Sequence, residues 1–94
     1  MIVRVVKMKF TSVYVEEFKS LFSTVQPKIA NFNGCLTVKL LQDENDTCIF
    51  FTISNWESES HLENYRTSEL FQTTWAKVKA NFTQKAEAWS LLGQ

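Results

Sequence analysis

Residues 53–75 read ISNWESESHLENYRTSELFQTTW, and the other elements of the chain can be placed around this segment. Ser58 and Ser68 are each followed by a glutamate. Serine is a preferred N-cap because its hydroxyl accepts from the free N–H groups of the first helical turn, and the positive helix end favours the acidic neighbour. Two helices are therefore predicted to begin here. The segment also holds the only histidine and two of the three tryptophans, which places any pocket beside it.

The chain before this segment predicts a strand and then a helix. Residues 2–10 alternate between two faces, one of which carries Ile2, Arg4, Val6, Met8 and Phe10. A helix capped by Thr11 or Ser12 follows, with an apolar stripe at three- and four-residue spacing: Phe18, Leu21, Phe22, Val25 and Ile29. Pro27 lies inside this pattern. Because proline removes a backbone donor and crowds the preceding turn, we expect a kink or restart near Gln26.

A hairpin is predicted next, with strands over 35–42 and 47–55 around a polar turn at 43–46. If Gln42 pairs with Thr47, one face is strongly apolar and is expected to pack under helices: Leu36, Val38, Leu40, Ile49, Phe51 and Ile53. The reverse face is mixed: Thr37, Lys39, Leu41, Cys48, Phe50 and Thr52. The two cysteines, Cys35 and Cys48, would lie at opposite ends of the hairpin, so we expect free thiols.

The chain after the segment predicts the end of the domain. Phe71, Trp75, Val78 and Phe82 form a second helical stripe, and residues 85–92 form a last strand. The order predicts one domain over 1–94 with a ferredoxin-like βαββαβ sandwich, in which helices cover one face of a four-stranded antiparallel sheet. The other face would expose apolar side chains, and we expect a homodimer to cover it.

The charge balance and the N-terminal sequence exclude several classes of partner. Ten basic residues balance ten acidic ones, so no net charge favours nucleic acid. Charged residues interrupt the N-terminal apolar run, and no segment approaches the roughly 20 apolar residues of a membrane span. We therefore expect a cytoplasmic protein without nucleic-acid or membrane partners.

Four short motifs make a pattern in their order and spacing: residues 32–36 (FNGCL), 40–43 (LLQD), 55–58 (NWES) and 65–71 (YRTSELF). The pattern resembles the antibiotic biosynthesis monooxygenase (ABM) family over nearly the whole chain. The resemblance implies a dimeric α+β barrel. Family members include cofactor-independent oxygenases of aromatic quinols, heme-degrading monooxygenases and proteins that act on small signalling molecules.

The heme-degrading branch differs from this chain at its functional positions. Its Asn, Trp and His correspond to Val6, Tyr65 and Trp75 here. A tryptophan cannot supply an imidazole to iron, and valine cannot donate the hydrogen bond of asparagine, so heme breakdown is not expected. Many other members carry a His where Tyr65 stands.

His61 and Tyr65 are the candidate catalytic residues. His61 is predicted in the first turn of its helix, where the helix dipole disfavours the imidazolium and favours a neutral base. Tyr65 lies four residues later on the same side, so the two could share a substrate hydroxyl. The alternatives are a surface histidine in a polar turn and a core tyrosine with its hydroxyl at the rim.

The candidate substrate-binding residues are Arg4, Val6, Trp56, Phe71 and Trp75. Arg4 shares a strand face with Val6 and could hold a carboxylate or phenolate, or reach out to solvent. The three aromatic residues could line a flat pocket or simply pack in the core. Trp89 on the last strand is assigned to pocket or interface with equal weight.

The leading hypothesis is a dimeric protein that oxidises a small aromatic or quinol-like molecule with O₂, without metal, flavin or other cofactor. His61 or Tyr65 would act as base or hydrogen-bond partner, and Arg4 would hold the anion. The rival hypothesis is a non-catalytic ligand-binding or interaction module on the same fold.

Overall fold

The computed structural model describes all residues, Met1–Gln94, as an antiparallel sheet with helices packed on one face. The elements are β1 (Ile2–Lys9), a 3₁₀ turn (Ser12–Tyr14), α1 (Val15–Ala30), β2 (Cys35–Gln42), β3 (Ile49–Trp56), α2 (Glu59–Arg66), α3 (Glu69–Lys79) and β4 (Glu87–Leu92). The strand order is β2-β3-β1-β4. The predicted ferredoxin-like α+β fold is confirmed.

The core lies between α1 and the inner face of the sheet. The stripe of α1 is buried as predicted at Phe18, Phe22, Val25 and Ile29. It packs against Phe10, which is only 1% exposed and whose ring centroid lies 4.4 Å from that of Phe18. Aromatic packing therefore provides much of the core.

The predicted kink near Gln26 was wrong, because α1 runs unbroken from Val15 to Ala30 with Pro27 inside it. Pro27 lies in the last turn of α1, where its missing N–H deprives only the Ser23 carbonyl of its usual partner. Both residues are exposed, so water can replace that bond.

The predicted register of the hairpin was also wrong. Gln42 pairs with Phe50 rather than Thr47, and the pairing continues as Leu40 with Thr52 and Val38 with Ser54. A shift by an odd number of residues moves each side chain of one strand to the opposite face. The inner face of β3 consequently carries Phe50, Thr52, Ser54 and Trp56, whereas Ile49, Phe51 and Ile53 lie on the outer face.

The longer turn explains the shift. Asp43 accepts hydrogen bonds from the backbone N–H groups of Asn45 and Asp46, at 3.0 and 2.8 Å, and Asp46 accepts from the N–H of Cys48 at 3.0 Å. These carboxylates satisfy backbone donors that would otherwise join the ladder, so the strand begins only at Ile49. Both cysteines are free, as predicted.

The split of the second helical region is as predicted. Ser58 caps α2 by accepting from the N–H of His61 at 3.3 Å, and Ser68 caps α3 by accepting from the N–H of Phe71 at 3.2 Å. The break therefore results from capping, without proline or glycine.

No helix in the structure is long and apolar enough to cross a membrane.

Candidate functional site

A cavity of about 270 Å³ lies between the inner face of the sheet and the helices. This volume is just below the roughly 300 to 1,000 Å³ typical of small-molecule sites. Most lining residues are apolar: Val6, Met8, Phe18, Phe22, Ile29, Val38, Leu62, Tyr65, Phe71, Trp75, Val78, Ala86 and Ala88. The polar lining residues are Arg4, Thr52, Ser54, Arg66, Thr74 and Glu87. Such a cavity suits a compact, largely apolar ligand with a few polar groups.

Arg4 is the central polar group of the cavity. In the register of the sheet it lies between Ser54 on β3 and Ser90 on β4, and its Nη1 donates to Ser90 Oγ at 2.9 Å. No carboxylate forms an ion pair with it. Burial, and then the positive charge of Arg66, lower the pKa of Arg4. The charge of Glu63 offsets only part of the cost of desolvating Arg4, and an anionic ligand would offset more of it.

Tyr65 lines the cavity from α2. Its ring stacks on Trp56 with centroids 4.9 Å apart and meets Phe71 edge-on at 5.3 Å. The hydroxyl makes no hydrogen bond within the protein, and it is not sealed from solvent. Burial strongly raises the pKa of Tyr65. At neutral pH the side chain is therefore a hydrogen-bond donor and not a base.

Phe71 and Trp75 stack on each other along α3 and form an aromatic wall of the cavity. Their rings are nearly parallel, with an interplanar angle of 12° and centroids 5.7 Å apart. Both are only half-buried and line the cavity, as does Val6 on the opposing strand. The two rings therefore give this side of the cavity a largely apolar surface.

His61, in contrast, lies outside the cavity. Its Nδ1 is 2.7 Å from Ser58 Oγ, its Nε2 is 3.7 Å from Glu57 Oε2, and its ring packs against Gly34. A serine, a histidine and a glutamate thus lie together, yet Ser58 Oγ serves as the helix cap and none of the three lines the cavity. The structure does not bring His61 and Tyr65 together around a ligand.

Trp56 also lies outside the cavity: it does not line it, and its side chain is fully buried, at 0% exposure. Its indole N–H donates to Ser54 Oγ at 2.9 Å. Although Trp56 does not line the cavity, it contacts two residues that do: it stacks on Tyr65 and its hydrogen bond orients Ser54. Trp89 belongs to neither site nor core: its partner in the register is Val5, on the outer face, and it is 41% exposed.

Comparison with known families and structures agrees with this architecture. The family model described as antibiotic biosynthesis monooxygenase (ABM) matches residues 1–77, most of the chain. This chain belongs to the ABM family.

Solved structures show the same fold at low sequence identity. A protein described as an antibiotic biosynthesis monooxygenase superposes with a TM-score of 0.94 at 17% identity, over 100% of this chain and 99% of that chain. A conserved protein from Methanosarcina mazei Go1 gives 0.92 at 19% identity, over 100% and 94%. A protein from Mycobacterium tuberculosis gives 0.90 at 13% identity, over 99% and 94%. No match was found among curated protein sequences.

The polar residues of this ABM-family cavity were largely missed from the sequence. Ser54 and Thr52 were missed because the predicted register put Thr52 on the outer face and gave Ser54 no role. Arg66 was missed because it looked like a surface residue of α2, although it directly follows Tyr65. The spacing of Thr74 beside Trp75 offered no signal of its own. No group of three or more His, Cys, Asp or Glu side chains is placed to hold a metal ion.

Proposed function

We propose that this ABM-family protein is a cofactor-independent monooxygenase that oxidises a small aromatic or quinol-like molecule in the cavity. The observation that supports the proposal most is the combination, in one apolar cavity, of an unpaired guanidinium, Arg4, and a protonated phenol, Tyr65. An arginine and a hydroxyl donor together stabilise an oxyanion. The aromatic wall of Phe71 and Trp75 would hold the ring that carries this oxyanion.

In the proposed reaction the bound phenol first loses its proton. Arg4 lowers the pKa of the phenol by its charge, and Tyr65 donates a hydrogen bond to the phenolate, so that the proton can leave to water. The electron-rich anion then transfers one electron to O₂, and recombination of the two radicals forms a peroxide. Loss of water from a peroxide at a ring CH₂ leaves a carbonyl. One O₂ thus oxidises CH₂ to C=O and yields one H₂O.

His61 has no part in this scheme, since it does not line the cavity. Heme degradation is not proposed either, because Val6 and Trp75, which line the cavity, cannot provide the amide and the imidazole expected for it.

The test is O₂ consumption with a panel of anthrones and naphthoquinols. With a turned-over compound, Tyr65→Phe should lower kcat/KM by about 5- to 150-fold, the equivalent of roughly 1 to 3 kcal/mol for a lost hydrogen bond to a charged group. His61→Ala is the matched control and should retain turnover. Because the pKa of Tyr65 is raised, the wild-type rate should show no loss from Tyr65 ionisation up to about pH 10. Equal turnover by Tyr65→Phe and wild type would contradict the assignment of Tyr65.

A non-catalytic binding module is the second candidate, and one observation favours it. No histidine lines the cavity, and its only acidic lining residue, Glu87, pairs in the register with Lys7 on the outer side of β1, so no ready general base faces the ligand. Tight binding of panel compounds without O₂ consumption would favour this alternative.

We also propose that the protein is a homodimer through the outer sheet face. That face carries half-buried or exposed apolar side chains on all four strands: Val3, Val5, Leu41, Phe51, Ile53, Trp89 and Leu91. A monomer rarely leaves such a patch uncovered. Sedimentation at micromolar concentration should give twice the chain mass of 10.9 kDa, and a mass of one chain would contradict the dimer.

A further inference from the structure

We propose that Arg4 and Arg66 together form a carboxylate site, so that the preferred ligand is a compact aromatic acid and not a neutral phenol. The inference rests on the proposed function in that it uses the same cavity and the same aromatic ligand class. It adds a second binding residue, Arg66, and a chemical group that the ligand must carry.

The two guanidinium groups approach the same cavity from opposite layers. Arg4 rises from the inner face of β1, and Arg66 comes from the last turn of α2, directly after Tyr65. Both residues line this one cavity, and the positive charge of Arg66 lowers the pKa of Arg4. Two cations that repel each other at the edge of an apolar cavity favour the binding of an anion between them.

The existing partners of the two arginines leave donors free. Arg4 uses Nη1 for Ser90 and has no ion pair. Arg66 uses Nη1 to bind Glu63 Oε2 at 3.1 Å in an exposed ion pair between residues on one helix. Exposed pairs of this kind contribute little, so a ligand carboxylate can compete for Arg66 at low cost. Ser54 accepts from Trp56, and its own O–H remains available to the ligand.

Two acidic residues, Glu63 and Glu87, lie on the elements next to these arginines, and neither neutralises their positive charge. Glu63 raises the pKa of Arg4 by its charge, but this is a smaller effect than those of burial and Arg66. Glu87 lines the cavity but pairs with Lys7 in the register, three residues along β1 from Arg4. At about 3.4 Å per residue it lies roughly 10 Å away along the strand. The two positive charges of Arg4 and Arg66 therefore have at most one carboxylate, that of Glu63, close to them.

Size and shape restrict the acid. The volume of about 270 Å³ and the parallel rings of Phe71 and Trp75 favour a planar ligand of one or two fused rings. A planar carboxylate also matches the forked donors of arginine. We therefore choose 3-hydroxy-2-naphthoate as the probe, with 3-hydroxy-2-naphthamide as its neutral match.

The test is calorimetric titration of the intact protein with both compounds in oxygen-free buffer, so that binding is measured without turnover. The acid should bind at least about tenfold more tightly than the amide, and added salt should weaken binding of the acid alone. Arg66→Gln should remove about tenfold of the preference for the acid and leave binding of the amide unchanged. Glu63→Gln is the matched variant and should have the opposite effect. It removes the ion pair that occupies Arg66, so it should strengthen binding of the acid by about two- to threefold.

Arg66 is exposed, so its replacement should not affect folding, and the result does not depend on the more buried Arg4. Equal affinity for acid and amide, a preference for the acid that Arg66→Gln leaves unchanged, or no binding of either compound would each overturn the carboxylate site. Tight binding of the acid, together with no O₂ consumption with any of the anthrones and naphthoquinols, would instead contradict the oxygenase proposal and leave the carboxylate site intact.

Discussion

The two helical regions of this protein cover the same sheet in different ways. α1 is one helix of 16 residues with buried residues along its length, whereas α2 and α3 are 8 and 11 residues long and bury one residue each, Leu62 and Val78. The side chains that α2 and α3 leave half-buried are Tyr65, Phe71 and Trp75, which line the cavity. Because the second helical region is broken at Ser68, its aromatic side chains line the cavity and are not fully buried in the core. α1 is the stable half, although its Phe18, Phe22 and Ile29 also line the cavity, and α2 with α3 is the functional half, because its lining side chains are mostly half-buried.

The largest expected effect on stability comes from replacing one phenylalanine in each of the two helical regions. Phe18→Ala in α1 should cost about 3 to 5 kcal/mol, because Phe18 is only 3% exposed and packs on Phe10 and Phe50. Phe71→Ala in α3 should cost only about 1 kcal/mol, since Phe71 is only half-buried, whereas Phe18 lines the same cavity but is almost fully buried. Urea unfolding of the two variants measures both values. Equal losses would mean that the cavity wall is part of the core.

A second test concerns the contact between Gly34 and His61, which joins the end of α1 to the start of α2. Gly34 has a φ of +89°, and a Cβ placed there would lie 2.3 Å from His61 Cγ. Gly34→Ala should therefore cost about 2 to 3 kcal/mol, from the backbone conformation together with the steric clash.

The control for Gly34→Ala is the double variant Gly34→Ala/His61→Gly, compared with His61→Gly alone, because the Cβ of His61 is itself one of the atoms that a new Cβ at position 34 would meet. Removing the whole side chain should recover the steric part of the loss, with a coupling energy above about 0.5 kcal/mol, and leave the backbone part. If Gly34→Ala costs as much beside His61→Gly as it does in the wild type, His61 is not the neighbour that makes glycine necessary.

These two regions also differ in how far sequence predicts them. The stripe of α1 and the caps at Ser58 and Ser68 are local patterns, and the structure confirms them. The inner face of β3 depends on how many residues the turn uses, and there Asp43 and Asp46 take backbone donors with their carboxylates. As a result, Gln42 pairs with Phe50, three residues beyond the predicted Thr47. For this reason the prediction did not place Ser54 on the inner face. Periodicity identifies which strands are half-buried, but only the register tells which polar residues share a row with Arg4.

The smallest expected effect concerns the capping that separates α2 from α3. The Ser68 hydroxyl accepts from the N–H of Phe71 and donates to the carbonyl of Tyr65, so it binds the first turn of α3 and the last turn of α2. Ser68→Ala should cost about 1 kcal/mol in urea unfolding. It should also weaken ligand binding, because Tyr65 and Phe71 would no longer be held relative to each other. Ser68→Thr keeps the hydroxyl and should retain most of both properties.

The matched control for Ser68 lies on α1. Ser20 is exposed and its hydroxyl makes no hydrogen bond, so Ser20→Ala should change stability by less than about 0.5 kcal/mol and leave ligand binding unchanged. If Ser68→Ala lowered stability but left ligand affinity unchanged, the break between α2 and α3 would not position the site. The division into a stable half and a functional half would then rest on the side chains of Tyr65, Phe71 and Trp75 alone.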